Sequence, residues 1–274
     1  MPVARTAALA AALCGGLAGN ATAMEEVPFI TTPDHVTAAM LQLAGVGASD
    51  YVIDLGSGDG RIVITAARVH GARGLGVEIV PDLVAQSREL ARRAGVADRA
   101  EFREQDLFAT DLSPASVVTM YLLPEVNLQL RPRLLALKPG TRIVSHDWDL
   151  GDWRPDRTLV LDVPDKVVGL DKRSRLHLWT VPAAVQGRWC GTGAQHGWQL
   201  DLSQQFQRVQ GRVEPGGLAI DATVSGLDLA SADGLALRLV DGPARALAVR
   251  RADGAWSMLA GARFEPAAAA GCPR

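Results

Sequence analysis

"YVIDLGSGDGRIVITAAR", residues 51–68, decides the fold. A short apolar run, "YVIDL", meets Gly56, Gly58 and Gly60, and a second apolar segment follows at helical spacing and stops at Gly71. The first run is too short for a helix and reads as a buried strand; the second reads as an amphipathic helix. A strand that passes through such a turn into a helix is a nucleotide-type loop. Glycine accepts positive φ and lets a ligand come close to the backbone, and ligands of parallel sheets sit at the carboxyl ends of strands.

The same alternation extends from about Pro28 to Pro182. "TTPDHVTAAMLQLAGVG" is a helix with Thr32 as its cap candidate, and "ARGLGVEI" a strand. "VPDLVAQSRELARRAGV" is a helix, and "AEFREQDL" and "ASVVTMYLL" are strands. "PEVNLQLRPRLLALKPG" is a helix; "TRIVSHDW", "RTLVLDV" and "SRLHLWTV" are strands. Strand-helix alternation predicts an α/β domain with a parallel sheet. "DLGDWRP" is too short for the crossover helix that normally joins parallel strands, which takes about a dozen residues.

Beyond Pro182 the helical period is lost. Trp198, Leu200 and Leu202 alternate, as do Ile220, Ala222 and Val224, then Leu235, Leu237 and Leu239, then Trp256, Met258 and Ala260. Asp-Gly turns at 233–234, 241–242 and 253–254 separate the runs. The expected architecture is therefore residues 24–182 as the α/β domain and 183–274 as a small antiparallel β domain, a meander or barrel.

Details around the loop select the ligand. No Gly-Lys-Ser or Gly-Lys-Thr follows, so it is not a phosphate-cradling Walker loop. The third glycine of the dinucleotide fingerprint is replaced by Arg61. Asp54 and Asp59 bracket the glycines instead, and acids suit a cationic ligand without phosphates. S-adenosylmethionine, with an ammonium and a sulfonium, is such a ligand. Glu78 ends the second strand, placed to accept ribose hydroxyls, and Asp106 follows the third, placed to accept from the adenine amino group. The expected cofactor site is Asp54, Gly56, Ser57, Gly58, Gly60, Glu78 and Asp106.

With these residues assembled, "DLGSGDGR", "GVEI", "EQDL" and "LKPGTRIVS" resemble the successive motifs of class I, seven-strand methyltransferases over about residues 28–182. "YVIDLGSGDGRIVITAA" with "HDWDLGDWRPD" is similar to the mitochondrial lysine methyltransferases acting on the adenine nucleotide translocase and the ATP synthase c subunit, and to their bacterial relatives. "YLLPEVNLQLRPRLLALKPGTRIVS" resembles the non-SET histone lysine methyltransferases. These resemblances imply a Rossmann-like seven-strand sheet, S-adenosylmethionine as donor and a protein lysine as acceptor.

Methyl transfer from a sulfonium is an in-line displacement, accelerated mainly by alignment in a dry site. The acceptor belongs at the end of the fourth strand, where the sequence reads Tyr121-Leu122-Leu123-Pro124-Glu125. The Asn-Pro-Pro-Tyr set of exocyclic-amine and glutamine methyltransferases is absent. Tyr121 as a channel wall, and Glu125 and Asn127 as groups that position a lysine, are the catalytic candidates. Core packing of Tyr121 and a helix-start role for Glu125 are the alternatives. His146, Asp147 and Asp149, with Trp148 and Trp153, form a candidate acceptor rim, and His35 is placed near the cofactor. No Cys/His spacing fits a metal site.

The chain has 274 residues, 48% hydrophobic, with net charge −2, which gives no electrostatic case for nucleic acid. Residues 1–23 read as a secretory signal ending in Ala21-Thr22-Ala23. That predicts export to a periplasmic or extracellular space; an uncleaved membrane anchor is the alternative. The cysteines left after cleavage, Cys190 and Cys272, then suit one disulfide tying the ends of the β domain. Export conflicts with a donor made in the cytosol. A small-molecule acceptor, an envelope or membrane-associated protein partner, and a non-catalytic exported binding protein all remain open at this point.

Overall fold

The computed structural model describes residues 30–167, 171–241, 245–269 and 271–272. The expected signal, residues 1–23, lies outside them.

Seven strands form one sheet: β1 Tyr51–Leu55, β2 Arg73–Glu78, β3 Ala100–Glu104, β4 Val117–Met120, β5 Arg142–His146, β6 Arg157–Asp162 and β7 Arg173–Thr180. Their order is β3-β2-β1-β4-β5-β7-β6. Strands β1 to β5 run parallel, and β7 lies antiparallel between β5 and β6. The order reverses between β1 and β4, which opens the crevice used by ligands in such sheets.

Four helices cover the sheet: α1 Asp34–Leu43, α2 Arg61–His70, α3 Pro81–Arg93 and α4 Pro124–Leu135. The period-two alternation of β1 sorts them. Ile53 and Leu55 pack with Leu130 and Leu134 of α4 on one face, while Val52 packs with Met40 of α1 and Ile62 and Ala66 of α2 on the other. Each such fully buried aliphatic side chain contributes about 1.5–3 kcal/mol. Helix α2 ends at Gly71 in the left-handed conformation, as its sequence predicts, and α3 starts with Pro81 at its first position. Thr32 does not cap α1: Pro33 takes that place, and the Thr32 hydroxyl turns instead toward His146.

The connection from β5 to β6 contains no helix. It folds back through a bridge between Leu150 and Trp153. Trp153 is fully buried, accepts at its carbonyl from Trp179 Nε1 at 2.8 Å, and stacks on Phe206 with ring centroids 6.1 Å apart. Trp153 is thus core, which corrects its expected place on the acceptor rim.

The remaining strands are β8 Gly187–Gly191, β9 Gln199–Gln205, β10 Arg208–Glu214, β11 Leu218–Ser225, β12 Asp228–Ser231, β13 Leu235–Val240, β14 Ala246–Ala252 and β15 Arg263–Pro266. They close an antiparallel barrel in the order β10-β11-β12-β13-β14-β15-β8-β9. Leu200, Leu202, Ile220, Val224, Leu237 and Leu239 point inward with Trp189 and Phe264, so side chains fill the barrel interior. The expected strand through Trp256, Met258 and Ala260 is instead a 3-10 turn, Gly254–Leu259. Trp256 and Leu259, three apart, face the core, and Met258 is exposed. Cys190 and Cys272 form a disulfide that ties β8 to the end of the chain. Phe206, at the β9–β10 turn, reaches from the barrel to Trp153, and Gln207 Nε2 donates to Arg154 O at 2.7 Å.

Candidate active site

Gly56, Gly58 and Gly60 have φ of 71°, 52° and 80°, so the loop requires glycine at all three positions. A Cβ on Gly60 would stand 2.6 Å from the Phe102 ring, and one on Gly56 2.9 Å from Leu122 Cδ2. The loop uses its amides internally. Gly56 N and Ser57 N both donate to Val77 O, at 3.0 and 2.9 Å, and Gly58 N donates to Glu78 Oε2 at 3.0 Å. Amides engaged in this way cannot fan around a phosphate as in an anion nest.

The three strand-end acids have unequal surroundings. Asp54 is 2% exposed and accepts from Thr119 Oγ1 at 2.7 Å. Burial pushes its carboxyl up to about 7, and the charges of Asp59 and Glu78 add to that, against the Thr119 hydrogen bond. Glu78 is half-buried and braces the loop: Oε1 accepts from Ile79 N at 2.8 Å and Val80 N at 3.1 Å, while Oε2 holds Gly58 N. Asp106 is exposed and caps a short 3-10 turn, accepting from Phe108 N at 2.8 Å. Gln105 N donates to Glu78 O at 2.9 Å, so the ends of β2 and β3 are joined beside the loop.

Two of the expectations shift. Asp59 is not a free acid for a ligand, because Arg61 takes both of its oxygens, with Nη2 on Oδ2 at 2.6 Å. Arg61 Nη1 continues to Thr32 O at 2.7 Å, which fastens the start of α1 over the loop. Ser57 is buried, and its hydroxyl has no hydrogen-bond partner; it lies where a Cβ on Gly76 would reach, 2.6 Å away, beneath the loop.

The residues expected on the acceptor side lie at the ends of β4 and β5. Tyr121 is half-buried, stacks on His146 at 3.9 Å between centroids, and donates to Asp147 Oδ2 at 3.3 Å. Burial, then the neighbouring Asp147 charge, pushes the phenol up to about 12, so it stays protonated. His146 is buried between Thr32 Oγ1 at 3.4 Å and Ser174 Oγ at 2.8 Å. Burial holds its imidazole down near 4, so it is neutral at ordinary pH.

Asp147 adopts a left-handed φ of 64°, a costly conformation for a residue with a side chain. Strand β7 holds it there: its N–H donates to Arg175 O at 2.6 Å and its Oδ1 accepts from Arg175 N at 3.0 Å. Its Oδ2 therefore faces Tyr121, and Lys166 Nζ lies 2.6 Å from that same oxygen.

Of the other acceptor candidates, Glu125 is exposed on the first turn of α4. Asn127 is fully buried, and its Nδ2 donates to Ser145 Oγ and Trp148 O, both at 3.2 Å. That amide pins the loop after β5 from beneath. Trp148 is exposed at the rim, Asp149 accepts from Gly151 N in a local turn, and His35 is exposed at the start of α1. Among the described residues no cluster of His, Cys, Asp or Glu could hold a metal ion.

Residues 54–157 match the family profile of the ANTKMT methyltransferase domain. A protein-lysine N-methyltransferase of Saccharolobus islandicus is 41% identical over 138 residues, covering 50% of this chain and 86% of that protein. The chain belongs to this methyltransferase family. A lysine N-methyltransferase of Mus musculus, named for the ATP synthase c subunit, is 40% identical over 108 residues, which cover 39% of this chain and 43% of the mouse protein. The methyltransferase thus spans less than half of that mouse relative. A solved structure described as an RNA methyltransferase from Salinibacter ruber, in complex with S-adenosyl-L-homocysteine, is 53% identical. It covers 57% of this chain and 96% of that one, with a TM-score of 0.52.

The protein is an S-adenosylmethionine-dependent methyltransferase, and its loop fits that donor. Gly56 and Gly60 leave no room for a Cβ, the amides of Gly56, Ser57 and Gly58 are already engaged, and the cation at the turn, Arg61, is taken up by Asp59. Glu78 and Asp106 would hold the ribose hydroxyls and the adenine amine, and the buried Asp54 would supply negative charge toward a cationic ligand. When bound, the donor supplies the methyl group. Lys166 was not readable as part of the site, because it reaches Asp147 only through the fold of the β6–β7 connection. The left-handed turn at Asp147 has no local sequence signal, since no glycine marks it.

Proposed function

We propose that this methyltransferase acts on lysine side chains of proteins. One observation carries the reading: the carboxylate beside Tyr121, Asp147 Oδ2, already accepts an ammonium, that of Lys166. A site that binds one primary ammonium has the charge and the reach to bind another. Tyr121 and Asp147 would orient the incoming amine, Asn127 would keep their loop in place, and Glu125 would attract the cation at the entrance. The names of the Saccharolobus and mouse relatives support the same substrate class.

The Salinibacter structure, described as an RNA methyltransferase, favours an RNA acceptor instead. Net charge −2 weighs against it, because phosphate neutralisation by basic residues dominates RNA affinity. We further propose that the mature chain works outside the cytosol, on an envelope or membrane-associated protein; the disulfide supports an oxidising compartment. No helix among the described residues is long and apolar enough to cross a membrane.

The test is transfer of a labelled methyl group from S-adenosylmethionine into a cell-envelope extract, followed by mass spectrometry. Label recovered as methyl-lysine after acid hydrolysis is the expected result. Label that ribonuclease removes, or that stays in small molecules, would overturn the lysine assignment.

A further inference from the structure

We propose that Lys166 is a built-in occupant of the acceptor site, held on Asp147 as an ammonium until a substrate lysine displaces it. This rests on the lysine reading above and concerns the regulation of that same site. Lys166 Nζ lies 2.6 Å from Asp147 Oδ2 and donates to Arg173 O at 2.6 Å. The side chains of Lys166 and Asp147 are only 13% and 12% exposed. The same carboxylate oxygen accepts from the Tyr121 hydroxyl and stands 3.7 Å from His146 Nε2. The ammonium therefore occupies the polar end of the surface assigned to the acceptor.

Three features make it an occupant rather than an acceptor or a permanent strut. Its nitrogen is engaged by a carboxylate and a carbonyl, which hold it in place rather than leaving it free to approach a methyl group. Val167, next in the chain, is 90% exposed, so release of Lys166 loses little apolar burial there. Lys166 N–H donates to Val163 O at 3.0 Å and Lys172 Nζ donates to Lys166 O at 2.6 Å, so the contacts that hold the segment lie close by in the chain.

The exchange is charge-neutral. When a substrate lysine enters, one ammonium replaces another and Asp147 is never left buried and unpaired, which would be costly; the substrate nitrogen then loses a proton to solvent before it attacks the methyl group. A neutral or anionic acceptor offers no such replacement. Lys166 thereby acts as a selectivity filter as well as a brake.

The experiment measures calorimetric binding of n-butylammonium, a mimic of the lysine side chain, to the full chain saturated with S-adenosylhomocysteine. A site filled by Lys166 nine tenths of the time lowers apparent affinity about tenfold. Lys166→Met should therefore bind n-butylammonium about tenfold more tightly than wild type, while Lys166→Arg, which keeps a cation on Asp147, should not. Lys166→Gln serves as a second opening variant if the methionine form melts early. Equal affinity of the wild type and both opening variants overturns the proposal, as does recovery of labelled methyl on Lys166 itself. The binding readout needs no turnover. Tightening in Lys166→Met therefore supports the occupancy even if the envelope extract yields no methyl-lysine, a result that would fault the substrate reading alone.

Discussion

Asp54 is an acid held almost entirely out of water. Its carboxyl is raised from 3.8 to about 7 by burial, with Asp59 and Glu78 adding. Between those limits the folded chain binds more protons at this site than the unfolded chain, so its contribution makes stability fall as pH rises. Asp54→Asn should remove that fall and stabilise the ligand-free protein above neutral pH by at most roughly 4 kcal/mol. Melting curves at acid and alkaline pH check this; a variant that melts like wild type at every pH would contradict it. The same linkage acts on the donor, because a cation favours the ionised carboxylate. Affinity for S-adenosylmethionine should rise as pH climbs toward about 7 in wild type, and this Asp54-dependent rise should be absent in Asp54→Asn. At the acceptor side, Tyr121→Phe should leave donor binding unchanged and lower kcat about tenfold or more, the usual scale for losing a positioned polar group in the transition state. Unchanged kcat would remove Tyr121 from the acceptor site. The sequence placed Asp54, Glu78 and Tyr121 at the ends of apolar runs that are legible by themselves, whereas Asp106, expected within a strand, lies two residues beyond β3 as the cap of a 3-10 turn. It did not reveal that Arg61 neutralises Asp59, since that pairing depends on how the turn directs two side chains.

The loop after β5 shows how an element is held by residues outside it. Asn127, on α4, donates to Ser145 Oγ and Trp148 O, and Ser145 Oγ donates to Trp148 O at 2.6 Å. Asn127→Ala would leave the Trp148 carbonyl with one partner fewer in a buried setting, at a cost of about 1–3 kcal/mol. The expected phenotype is a lower melting temperature and slower methyl transfer with donor affinity preserved. Loss of donor binding would instead make Asn127 part of the cofactor site. Periodicity and glycine stops made the regular elements readable: α2 between Gly60 and Gly71, and α4 from Pro124. They failed where local spacing is ambiguous. Trp256, Met258 and Ala260 fit period two, yet Trp256 and Leu259 fit period three, and burial of both favours the 3-10 turn.

At the scale of the whole molecule, the barrel covers part of the sheet that lacks a crossover helix. Phe206 stacks on Trp153, the Arg131 guanidinium lies 5.7 Å from the Phe206 ring, and Gln207 holds Arg154 O. The short β5–β6 connection was visible in the sequence; its partner was not, because Phe206 lies some fifty residues away at a turn of the barrel. Phe206→Ala should destabilise the protein by about 1–3 kcal/mol and raise protease sensitivity near Trp153. If neither changes, the barrel is not a structural cover. Reduction of Cys190–Cys272 should cost about 2–5 kcal/mol, seen as a lower melting temperature. The central claim is the proposed cofactor cradle, in which Asp54 of β1, Glu78 of β2 and Asp106, just beyond β3, would hold the donor. Titration calorimetry of S-adenosylmethionine into the purified chain tests it most directly. The account predicts saturable one-to-one binding that weakens about tenfold or more when Glu78→Gln and Asp106→Ala are combined, on the scale of lost charged hydrogen bonds. Absence of binding at about 1 mM donor, the upper end of ordinary enzyme affinities, or full affinity in the double variant, would contradict it.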